Sequence, residues 1–588
     1  MTHTQRPAPF LVLPAPGLEG VSSYKVPRAR APTDLRLDGN EGRAPSRDLL
    51  RVLDDLENGT LARYPDTTKL REQLASLHDV SSAQVIVTAG ADEVLDRICR
   101  AVLAPGREVI LPVPGFEMMP RYARLAGATI VEVVWRGATF PVADVRAAIT
   151  EHTALVVLTS PNNPTGAVIS GSDLEGLAKA HPQCLFIVDE AYAEFATEDL
   201  AEATLALENA VLVRTLSKAW GIAGLRVGYA VGHATLISWL HAAGSPYPVS
   251  TTSAALALAH LEGGAAPVRN FVAEARQERE AIRETLVDLG AEVVPSEANF
   301  VFARIRGGEP AALWARDALA GLGISIRAFP QRPHCEDAIR VTCPGNAAGL
   351  RRVRHGLASA LAPLALLFDI DGVLVDVSRS YRRAILETAA HFGRKLSGED
   401  IEQEKRRGGA NDDWELTWRL VKSGGVDVTL AQVTEVFEAL YQGTDGVQGL
   451  KYEERLLLSR DDLTALRQRF RLAAVTGRPT KDATELLERE GLTSLFDVVI
   501  TRDDAPLKPD PAPVALALSR LGVARAWMLG DTPDDIRAAR GAEVVPIGVL
   551  PPGAPAGGAL EDALFAAGAA RVLTSTSQIL SLLAEVIG

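Results

Sequence analysis

The sequence has little cysteine and no long apolar run. Its 588 residues include four cysteines, and none of them forms a CxxC pair: Cys99, Cys184, Cys335 and Cys343. This scarcity argues against a disulfide-stabilised fold, and against a cysteine-bound zinc beyond residue 364, where cysteine is absent. The Pro-rich apolar patch near the start is too short and too broken for a signal peptide or a membrane span. We therefore expect reduced thiols in a soluble, cytoplasmic protein.

Basic residues are also fewer than acidic residues. The chain has 61 Lys and Arg against 74 Asp and Glu, a formal net charge of −13. An acidic chain repels the phosphate backbone, which argues against nucleic acid as a partner. A hydrophobic fraction of 47% and a charged fraction of 23% are typical of a globular protein. We expect small-molecule ligands, with no nucleic acid and no membrane.

Apolar runs that end in polar residues form two successive sets. The first set is VIVTAG (85–90), EVILPV (108–113), ALVVLTS (154–160), CLFIVDEAY (184–192) and AVLVRTLS (210–217). The second is LALLFDI (364–370), RLAAVTG (471–477), VVITRDD (498–504), AWMLGD (526–531) and VVPIGV (544–549). Such strands, alternating with helical patterns, predict parallel α/β sheets whose ligands gather at the carboxyl ends of the strands.

These two sets predict the domain organisation. We expect an extended N-terminal arm and two α/β domains, the second of which carries a mostly helical insertion. The stretch 347–362 reads as the final helix of the first domain, so the linker is very short. The predicted bounds are 1–35 for the arm, 36–362 for the first domain, 364–588 for the second and about 380–465 for the insertion.

Four polar stretches of the first domain occur in a specific order. They are AGADE (89–93), SPNNPTG (160–166), DEAY (189–192) and TLSKAWGIAGLRVGY (215–229). Over about residues 20–360 the chain resembles the fold-type I aminotransferases that use pyridoxal phosphate (PLP). Any one stretch could arise by chance, but the ordered set is specific.

This resemblance implies a role for each polar residue. Lys218 would bind the cofactor as a Schiff base and then move a proton, which is nucleophilic and general-base work. Asp189 would keep the ring nitrogen protonated, and Asn163 and Tyr192 would bond the ring oxygen. The cofactor phosphate would be bound by the backbone of Ala91 and Asp92 and by the side chains of Ser217 and Arg226. Phe116 would stack on the ring, and Tyr64 would reach the cofactor phosphate of a neighbouring subunit, which implies a homodimer.

Within this family, the chain looks most like the histidinol-phosphate aminotransferases. The likeness rests on Tyr24, Asn40 and RYPD (63–66), and on the pair Arg327 and Arg340, whose guanidinium groups suit both a carboxylate and a phosphate. By resemblance, Tyr24, Arg327 and Arg340 would bind substrate. Two departures concern the substrate side: NEGRAP (40–45) replaces the usual Asn-Glu-Asn-Pro, and Phe116 stands where tyrosine is common.

The second domain carries another ordered set of motifs. These are FDIDG (368–372), VTGRP (475–479), LKPDP (507–511) and GDTPDDI (530–536). Over about residues 364–588 the chain resembles the haloacid dehalogenase-like (HAD) hydrolases, and its helical insertion resembles the cap of phosphoglycolate phosphatase-like members. The resemblance implies a HAD-like Rossmannoid fold that follows the PLP-dependent transferase fold.

The HAD resemblance assigns the second catalytic set. Asp369 would be the nucleophile and Asp371 the general acid and base, since residues i and i+2 of a strand point to the same side. Thr476 and Lys508 would hold the phosphoryl oxygens. Mg²⁺ would be bound by Asp369, by the backbone carbonyl of Asp371 and by Asp531, with Asp535 supporting the site. Clustered carboxylates repel one another, so this interpretation requires a cation.

The two resemblances suggest a single hypothesis for function. A histidinol-phosphate-type transaminase makes an amino phosphate ester from a keto phosphate and glutamate, and a HAD phosphatase hydrolyses phosphate esters. The fused enzyme would make histidinol phosphate and then histidinol. Alternatively, both sites act on another amino or keto phosphate, or one half is a degenerate binding module, although both catalytic sets are complete. The aspartates alone do not separate a phosphatase from a phosphomutase.

Overall fold

The computed structural model describes residues 13–19, 21, 23, 28–57, 59–407 and 412–587. The chain divides into two compact units. The first contains the described parts of residues 1–26 together with 40–281 and 293–302, and the second contains 27–39, 282–292 and 303–588. The second unit therefore joins the end of the predicted first domain to the whole of the second, and the sequence-based bounds stay a prediction. No helix among the described residues is long and apolar enough to cross a membrane.

A seven-stranded sheet forms the centre of the first unit. Its strands are β1 (Val85–Thr88), β2 (Glu108–Val113), β3 (Thr129–Val134), β4 (Thr153–Thr159), β5 (Leu185–Asp189), β6 (Ala210–Thr215) and β7 (Gly228–Gly232). The order across the sheet is β1-β7-β6-β5-β4-β2-β3. Only β7 runs antiparallel to its neighbours. Strands β4 to β6 are almost entirely buried, as expected for parallel strands covered on both faces.

Helices flank this sheet. The α-helices of the first unit are Thr68–Leu77, Ala91–Val102, Met119–Leu125, Val142–Ala148, Gly171–Ala180, Ala201–Leu205, Ala234–Ala242 and Thr251–Gly263. Helix Ala265–Asp288 begins in the first unit and ends in the second. Short 3₁₀ turns occupy Pro16–Leu18, Arg47–Leu53, Thr60–Ala62, Ser82–Gln84, Ala193–Phe195 and Ala223–Leu225.

The second unit contains a six-stranded, fully parallel sheet. Its strands are β8 (Ala365–Phe368), β9 (Arg471–Val475), β10 (Val498–Ile500), β11 (Ala526–Gly530), β12 (Val545–Val549) and β13 (Arg571–Leu573), in the order β10-β9-β8-β11-β12-β13. Strand β8 lies between β9 and β11, so the FDIDG motif lies between the carboxyl ends of these two strands. The remaining short strands are Leu35–Arg36, Glu292–Val294, Phe300–Arg304, Ile324–Ser325, Arg327–Ala328, Ala338–Thr342, Val375–Asp376, Gly443–Thr444, Val447–Gln448 and Arg455–Leu456.

The helices of the second unit include the predicted insertion. Five of them lie between β8 and β9. The first four form a cap, Tyr381–His391, Gly398–Arg407, Asp413–Lys422 and Leu430–Gln442, and are followed by the 3₁₀ turn Leu450–Glu453 and then by helix Arg460–Arg467. The others are Gly308–Gly321, Ala347–Leu361, Thr480–Arg489, Ala512–Leu521, Pro533–Gly541, Ala559–Ala567 and Gln578–Val586. The helix expected at 347–362 is thus observed, and β8 begins four residues after it ends.

Two tryptophans join the regions before and after residue 364 within the second unit. Trp314 and Trp527 are both fully buried, and their ring centroids lie 4.5 Å apart. The indole N–H of Trp314 donates to the carbonyl of Ala360 (2.9 Å), and that of Trp527 donates to the carbonyl of Ser359 (2.7 Å). The last carbonyls of a helix have no partner within it, so these indoles satisfy the end of helix Ala347–Leu361.

We expect Trp527→Phe to destabilise the second unit. The change keeps an aromatic ring but leaves the buried carbonyl of Ser359 without its donor, at a cost of about 1–3 kcal/mol in the free energy of unfolding. Urea unfolding followed by circular dichroism measures the effect. The control is Trp239→Phe, since Trp239 is 53% exposed and should change stability by less than about 0.5 kcal/mol. Equal stability of the two variants would contradict the assignment.

Candidate functional sites

The cofactor-site candidates of the first unit follow the carboxyl ends of neighbouring strands. Asp189 is the last residue of β5, and its register partners are Thr159 at the end of β4 and Val213 in β6. The ends of these strands are therefore level. Asn163 follows β4, and Lys218 follows β6 by three residues. The sheet thus brings together residues that lie far apart in the sequence, as the strand pattern predicted.

Asp189 is a buried carboxylate with one close hydrogen-bond donor. It is 5% exposed, and the backbone N–H of Ala191 donates to its Oδ1 (3.2 Å). Burial raises the pKa of Asp189 to about 7, while the charge of Lys218 acts in the opposite direction. A buried carboxylate of this kind is suited to face a cationic ring nitrogen, because that charge would offset the cost of burial.

Tyr192 and Lys218 lie beside each other in the same site. The Nζ atom of Lys218 is 5.7 Å from the centroid of the Tyr192 ring. The side-chain amide of Asn40 donates to the Tyr192 hydroxyl (3.0 Å), and Asn40 itself is buried with a positive φ of 54°. The sequence analysis named Asn40 for its motif only. The structure shows that it fixes the direction of the Tyr192 hydroxyl.

An anion site lies where helix Ala91–Val102 begins. Gly90 precedes this helix with a φ of 81°, and a Cβ there would collide with the guanidinium of Arg226. The guanidinium donates to Oδ2 of Asp92 (3.2 Å), and the Ser217 hydroxyl accepts from that of Thr215 (2.9 Å). Helix N–H groups and a guanidinium suit a phosphate, so the donor set fits that part of PLP.

A buried asparagine supports the loop that carries Phe116. The side-chain amide of Asn162 donates to the carbonyl of Pro114 (2.9 Å) and to the hydroxyl of Thr165 (2.8 Å). Phe116 is partly buried and packs against the core beneath the sheet. The sequence analysis selected Asn163, the next residue, and missed the structural role of Asn162. Both asparagines belong to one motif, and sequence alone does not tell which side chain turns inward.

A buried ionic network lies behind the cofactor-site candidates. The guanidinium of Arg214 donates to Oε2 of Glu190 (2.7 Å), and Oε1 of Glu190 accepts from the backbone of Leu200 (2.8 Å). The indole of Trp220, two residues after Lys218, donates to Glu194 (3.1 Å). These groups hold the loop that carries the lysine. The sequence analysis missed them, although Glu190 belongs to the DEAY motif.

Tyr64 lies on the surface. Its side chain is 79% exposed and stacks on Tyr247, with ring centroids 4.6 Å apart. The role of Tyr64 at a neighbouring subunit stays a prediction.

The two candidate substrate arginines face each other in the second unit. Arg327 and Arg340 are register partners on antiparallel strands, and both are buried. Arg340 also donates to the carbonyl of Asp38 (2.7 Å). A guanidinium carries planar donors that match a carboxylate or a phosphate, so two of them on adjacent strands are suited to bind an anion. The third candidate, Tyr24, lies outside the described residues.

The second catalytic set converges at the carboxyl ends of β8, β9 and β11. The Nζ atom of Lys508 lies 2.8 Å from Oδ1 of Asp369 and 2.5 Å from Oδ1 of Asp535. A capping box holds Asp535, whose Oδ2 accepts from the backbone (3.0 Å) and hydroxyl (2.6 Å) of Thr532. Thr476 is buried, and its hydroxyl accepts from the backbone of Arg478 (3.1 Å).

Three buried carboxylates could hold a metal ion. Oxygen atoms of Asp369, Asp531 and Asp535 lie within 4.8 Å of one another. Burial and the neighbouring carboxylates raise the pKa of Asp369 well above its usual value, although Lys508 acts in the opposite direction. Burial lowers the pKa of Lys508, but the charges of Asp369 and Asp535 outweigh burial, so the pKa lies above its usual value. An all-oxygen set with excess negative charge fits Mg²⁺.

The carboxylate of Asp371 points to a different partner. Arg478 donates to its Oδ1 from Nε (2.9 Å) and from Nη2 (2.6 Å). The sequence analysis quoted Arg478 within VTGRP but gave it no role. The sequence did contain a sign of this role. Arg478 follows Thr476, a proposed phosphate-binding residue at a strand end, by two positions, so it has to lie near the site.

The cap stretch 405–417 is described in part, since residues 408–411 lie outside the described residues. At its far end, Oδ2 of Asp412 accepts from Nη2 of Arg502 (2.6 Å), whose guanidinium lies 4.8 Å from the Trp414 ring centroid. This end of the stretch is therefore a contact between the cap and the core.

Two family models match the chain. Residues 35–357, more than half of the chain, match the class I and II aminotransferases, and residues 364–543 match the haloacid dehalogenase-like hydrolases. A crystal structure of histidinol-phosphate aminotransferase from Sinorhizobium meliloti in complex with pyridoxal-5'-phosphate superposes with a TM-score of 0.52 at 24% identity, covering 56% of this chain and 91% of that chain. At that identity the likeness shows the fold alone.

Each of the following curated relatives matches a part of the chain. The histidinol-phosphate aminotransferase of Paracoccus denitrificans is 32% identical over 369 residues, covering 60% of this chain and 97% of that protein. That of Cereibacter sphaeroides (strain KD131) is 35% identical over 366 residues, covering 59% and 97%. An imidazoleglycerol-phosphate dehydratase of Phytophthora nicotianae is 49% identical over 196 residues, covering 32% of this chain. This chain spans 43% of that dehydratase.

We expect Gly372→Ala to abolish the chemistry of the second site. Gly372 has a φ of 77°, and a Cβ there would collide with the carboxylate of Asp531, a candidate metal ligand. Displacing that carboxylate should lower Mg²⁺-dependent hydrolysis of p-nitrophenyl phosphate by ~100-fold. The matched control is Gly393→Ala, which has a φ of 78° but no neighbour within 4 Å. The prediction is wrong if both variants keep the wild-type rate.

Proposed function

Because this chain belongs to the class I and II aminotransferases and carries a haloacid dehalogenase-like hydrolase region, we propose that it transfers an amino group to a keto phosphate and hydrolyses the resulting phosphate ester. The two family matches confirm both resemblances and the α/β fold class predicted from the sequence. The observation that carries the proposal is the presence of two complete catalytic sets on one polypeptide.

In the aminotransferase site, each candidate residue has one task. Bound PLP supplies an electron sink for the electrons of the substrate Cα–H bond. Asp189 holds a proton on the ring nitrogen, and Tyr192, directed by Asn40, donates to the ring oxygen. Lys218 binds the cofactor and, once free, carries the proton to and from the substrate Cα. Arg226 and the N-terminus of helix Ala91–Val102 bind the cofactor phosphate.

The arginine pair supports an anionic substrate. Arg327 and Arg340 place two guanidinium groups on one face of a two-stranded ladder. A phosphate monoester or a carboxylate between them would neutralise their repulsion. The same pair can therefore accept glutamate as amino donor and a phosphorylated keto substrate as acceptor.

In the hydrolase site, the residues support phosphoryl transfer to a carboxylate. An oxygen of Asp369 attacks phosphorus, the bond to the ester oxygen breaks, and Asp371 gives that oxygen a proton, so the alcohol leaves. Water then loses a proton to Asp371 and attacks phosphorus, which releases phosphate and restores Asp369. Lys508 and Thr476 stabilise the phosphoryl oxygens. Asp369, Asp531 and Asp535, with the backbone carbonyl of Asp371, would hold Mg²⁺, which would supply further positive charge there.

The names of the relatives support histidinol phosphate as the shared compound. Histidinol-phosphate aminotransferases match the first part of the chain over nearly their full length. Dehydration of a glycerol phosphate, the reaction named for the Phytophthora relative, yields a keto phosphate, which is the kind of acceptor that an aminotransferase needs. We therefore propose that the chain converts imidazole acetol phosphate and glutamate into histidinol phosphate and then releases phosphate to give histidinol.

A second candidate keeps both reactions but changes the substrate. NEGRAP (40–45) and Phe116 depart from the family pattern near the substrate side, which favours another amino or keto phosphate. Phosphate release to water distinguishes a phosphatase from a phosphomutase in either case.

We also propose a homodimer and a cytoplasmic location. The exposed pair of Tyr64 and Tyr247 supports a contact with a second copy. All four cysteines are buried and none of them forms a disulfide, which supports a reducing compartment.

Two substitutions should separate the activities. Lys218→Ala removes the cofactor-binding amine, so we expect loss of the visible absorbance of bound PLP and a fall in amino transfer of about 1,000-fold or more. Its phosphatase rate should stay unchanged. Asp369→Asn is the matched converse and should keep the absorbance while phosphate release is lost. If either variant loses both activities while folded, the assignment of separate sites is wrong.

L-Histidinol phosphate should be a substrate of the second site. With Mg²⁺ we expect phosphate release that falls by about 1,000-fold or more in Asp369→Asn, because the nucleophile is removed. Release of inorganic phosphate measures it, and p-nitrophenyl phosphate serves as a generic control ester. Hydrolysis of the control ester without hydrolysis of histidinol phosphate would refute the substrate assignment and favour the second candidate.

A further inference from the structure

Arg478 links the catalytic aspartate of the hydrolase core to the cap. It lies three residues after the end of β9, and its side chain is 1% exposed. It contacts Asp371 through two nitrogens, as described above, and its Nη2 also donates to Oε1 of Glu454 (2.8 Å). Its Nη1 donates to the hydroxyl of Tyr441 (3.0 Å), which lies on the last cap helix.

The contact with Asp371 is directional. Both donors, Nε and Nη2, reach the same oxygen, Oδ1. The guanidinium therefore occupies Oδ1 with two donors and holds that side of the carboxylate, and neither bond uses Oδ2. A group that gives a proton to the ester oxygen has to be within hydrogen-bond reach of it, so this orientation decides whether transfer can occur.

The cap side of the network is also held by several hydrogen bonds. Glu454 is buried, and its carboxylate also accepts from Arg489 (2.9 Å), from the hydroxyl of Tyr441 (3.1 Å) and from that of Ser380 (3.1 Å). Two carboxylates thus balance two guanidinium groups in a buried cluster. The face of Arg478 is covered by the ring of Tyr381, 4.8 Å from its Cζ atom.

We propose that Arg478 is a positioning residue that aims Asp371 at the ester oxygen and ties this aim to the cap. The inference rests on the proposed phosphatase function. In the first step the bond from Asp369 to phosphorus forms, the bond from phosphorus to the ester oxygen breaks, and Oδ2 of Asp371 gives its proton to that oxygen. Arg478 keeps its own protons throughout, and the cap holds it in place through Glu454 and Tyr441.

The test compares two esters in the full-length enzyme. An alkyl leaving group needs a proton, whereas p-nitrophenolate leaves as a stable anion. The ratio kcat/KM reports only steps up to the release of the leaving group, so it isolates the first step. For Arg478→Met we expect kcat/KM for L-histidinol phosphate to fall ~100-fold or more, with little change for p-nitrophenyl phosphate. Arg478→Lys keeps the charge but lacks the fork, and should show the same selective loss.

Two further variants complete the design. Arg489→Gln removes another partner of Glu454 without touching Asp371, and should leave the ratio of the two esters unchanged. Tyr441→Phe removes a single hydroxyl that holds Arg478, and should lower the alkyl rate selectively, even if the Arg478 variants fail to fold.

The outcomes separate the two proposals. Equal losses on both esters in a folded Arg478 variant, or no selective loss in Tyr441→Phe, would overturn the positioning role. If the wild-type enzyme hydrolyses neither ester, the proposed function fails and the inference falls with it. If it hydrolyses the aryl ester but not histidinol phosphate, glycerol phosphate replaces the latter as the alkyl ester and the same comparison decides.

Discussion

The structure depends on compensating charge that is buried at the ends of parallel strands. Asp189 is the last residue of β5 in the first unit, and Asp369 directly follows β8 in the second. Both are almost completely enclosed. A carboxylate in such a place is costly unless a cation or a set of donors faces it. In the hydrolase region the single positive charge of Lys508 contacts two carboxylates, Asp369 and Asp535, and Asp531 lies beside them. Negative charge therefore exceeds positive charge there, and a metal ion would balance it. The capping box at Thr532 holds the carboxylate of Asp535, and Gly372 leaves room for that of Asp531.

The sequence predicted the sites better than it predicted what supports them. Strand-end motifs such as DEAY and FDIDG are local, so their residues could be assigned before any contact was known. Asn162 and Arg478 each bond a residue that is distant in the sequence: Pro114 lies 48 positions from Asn162, and Asp371 lies 107 positions from Arg478. Trp314 packs on Trp527, which lies on a strand of the second sheet. No local pattern encodes such a partner, because it is the packing of distant elements that creates it.

The tryptophan pair changes how the two regions should be regarded. A very short linker alone would permit the second region to swing freely. Trp527 instead donates to a helix end that precedes the linker and packs on Trp314, so part of the helix capping of the region before residue 364 is supplied by the region after it. Stability of that helix is therefore a property of the fused chain, which explains why residues 303–362 and 364–588 fall in one unit.

The shared phosphate also sets a constraint on the order of events. In the proposed reaction sequence, Arg327 and Arg340 bind the keto substrate through its phosphate, whereas the hydrolase site removes that phosphate. A phosphatase that acted first on the keto phosphate would deprive the aminotransferase site of that handle. In the proposed sequence the two phosphate esters differ where an amine replaces a carbonyl group, so a hydrolase selective for the amine would have to sense a positive charge at some distance from phosphorus. The hydrogen bonds of Arg478 to Asp371 and to Tyr441 of the cap offer a physical connection by which such selectivity could act on the first step.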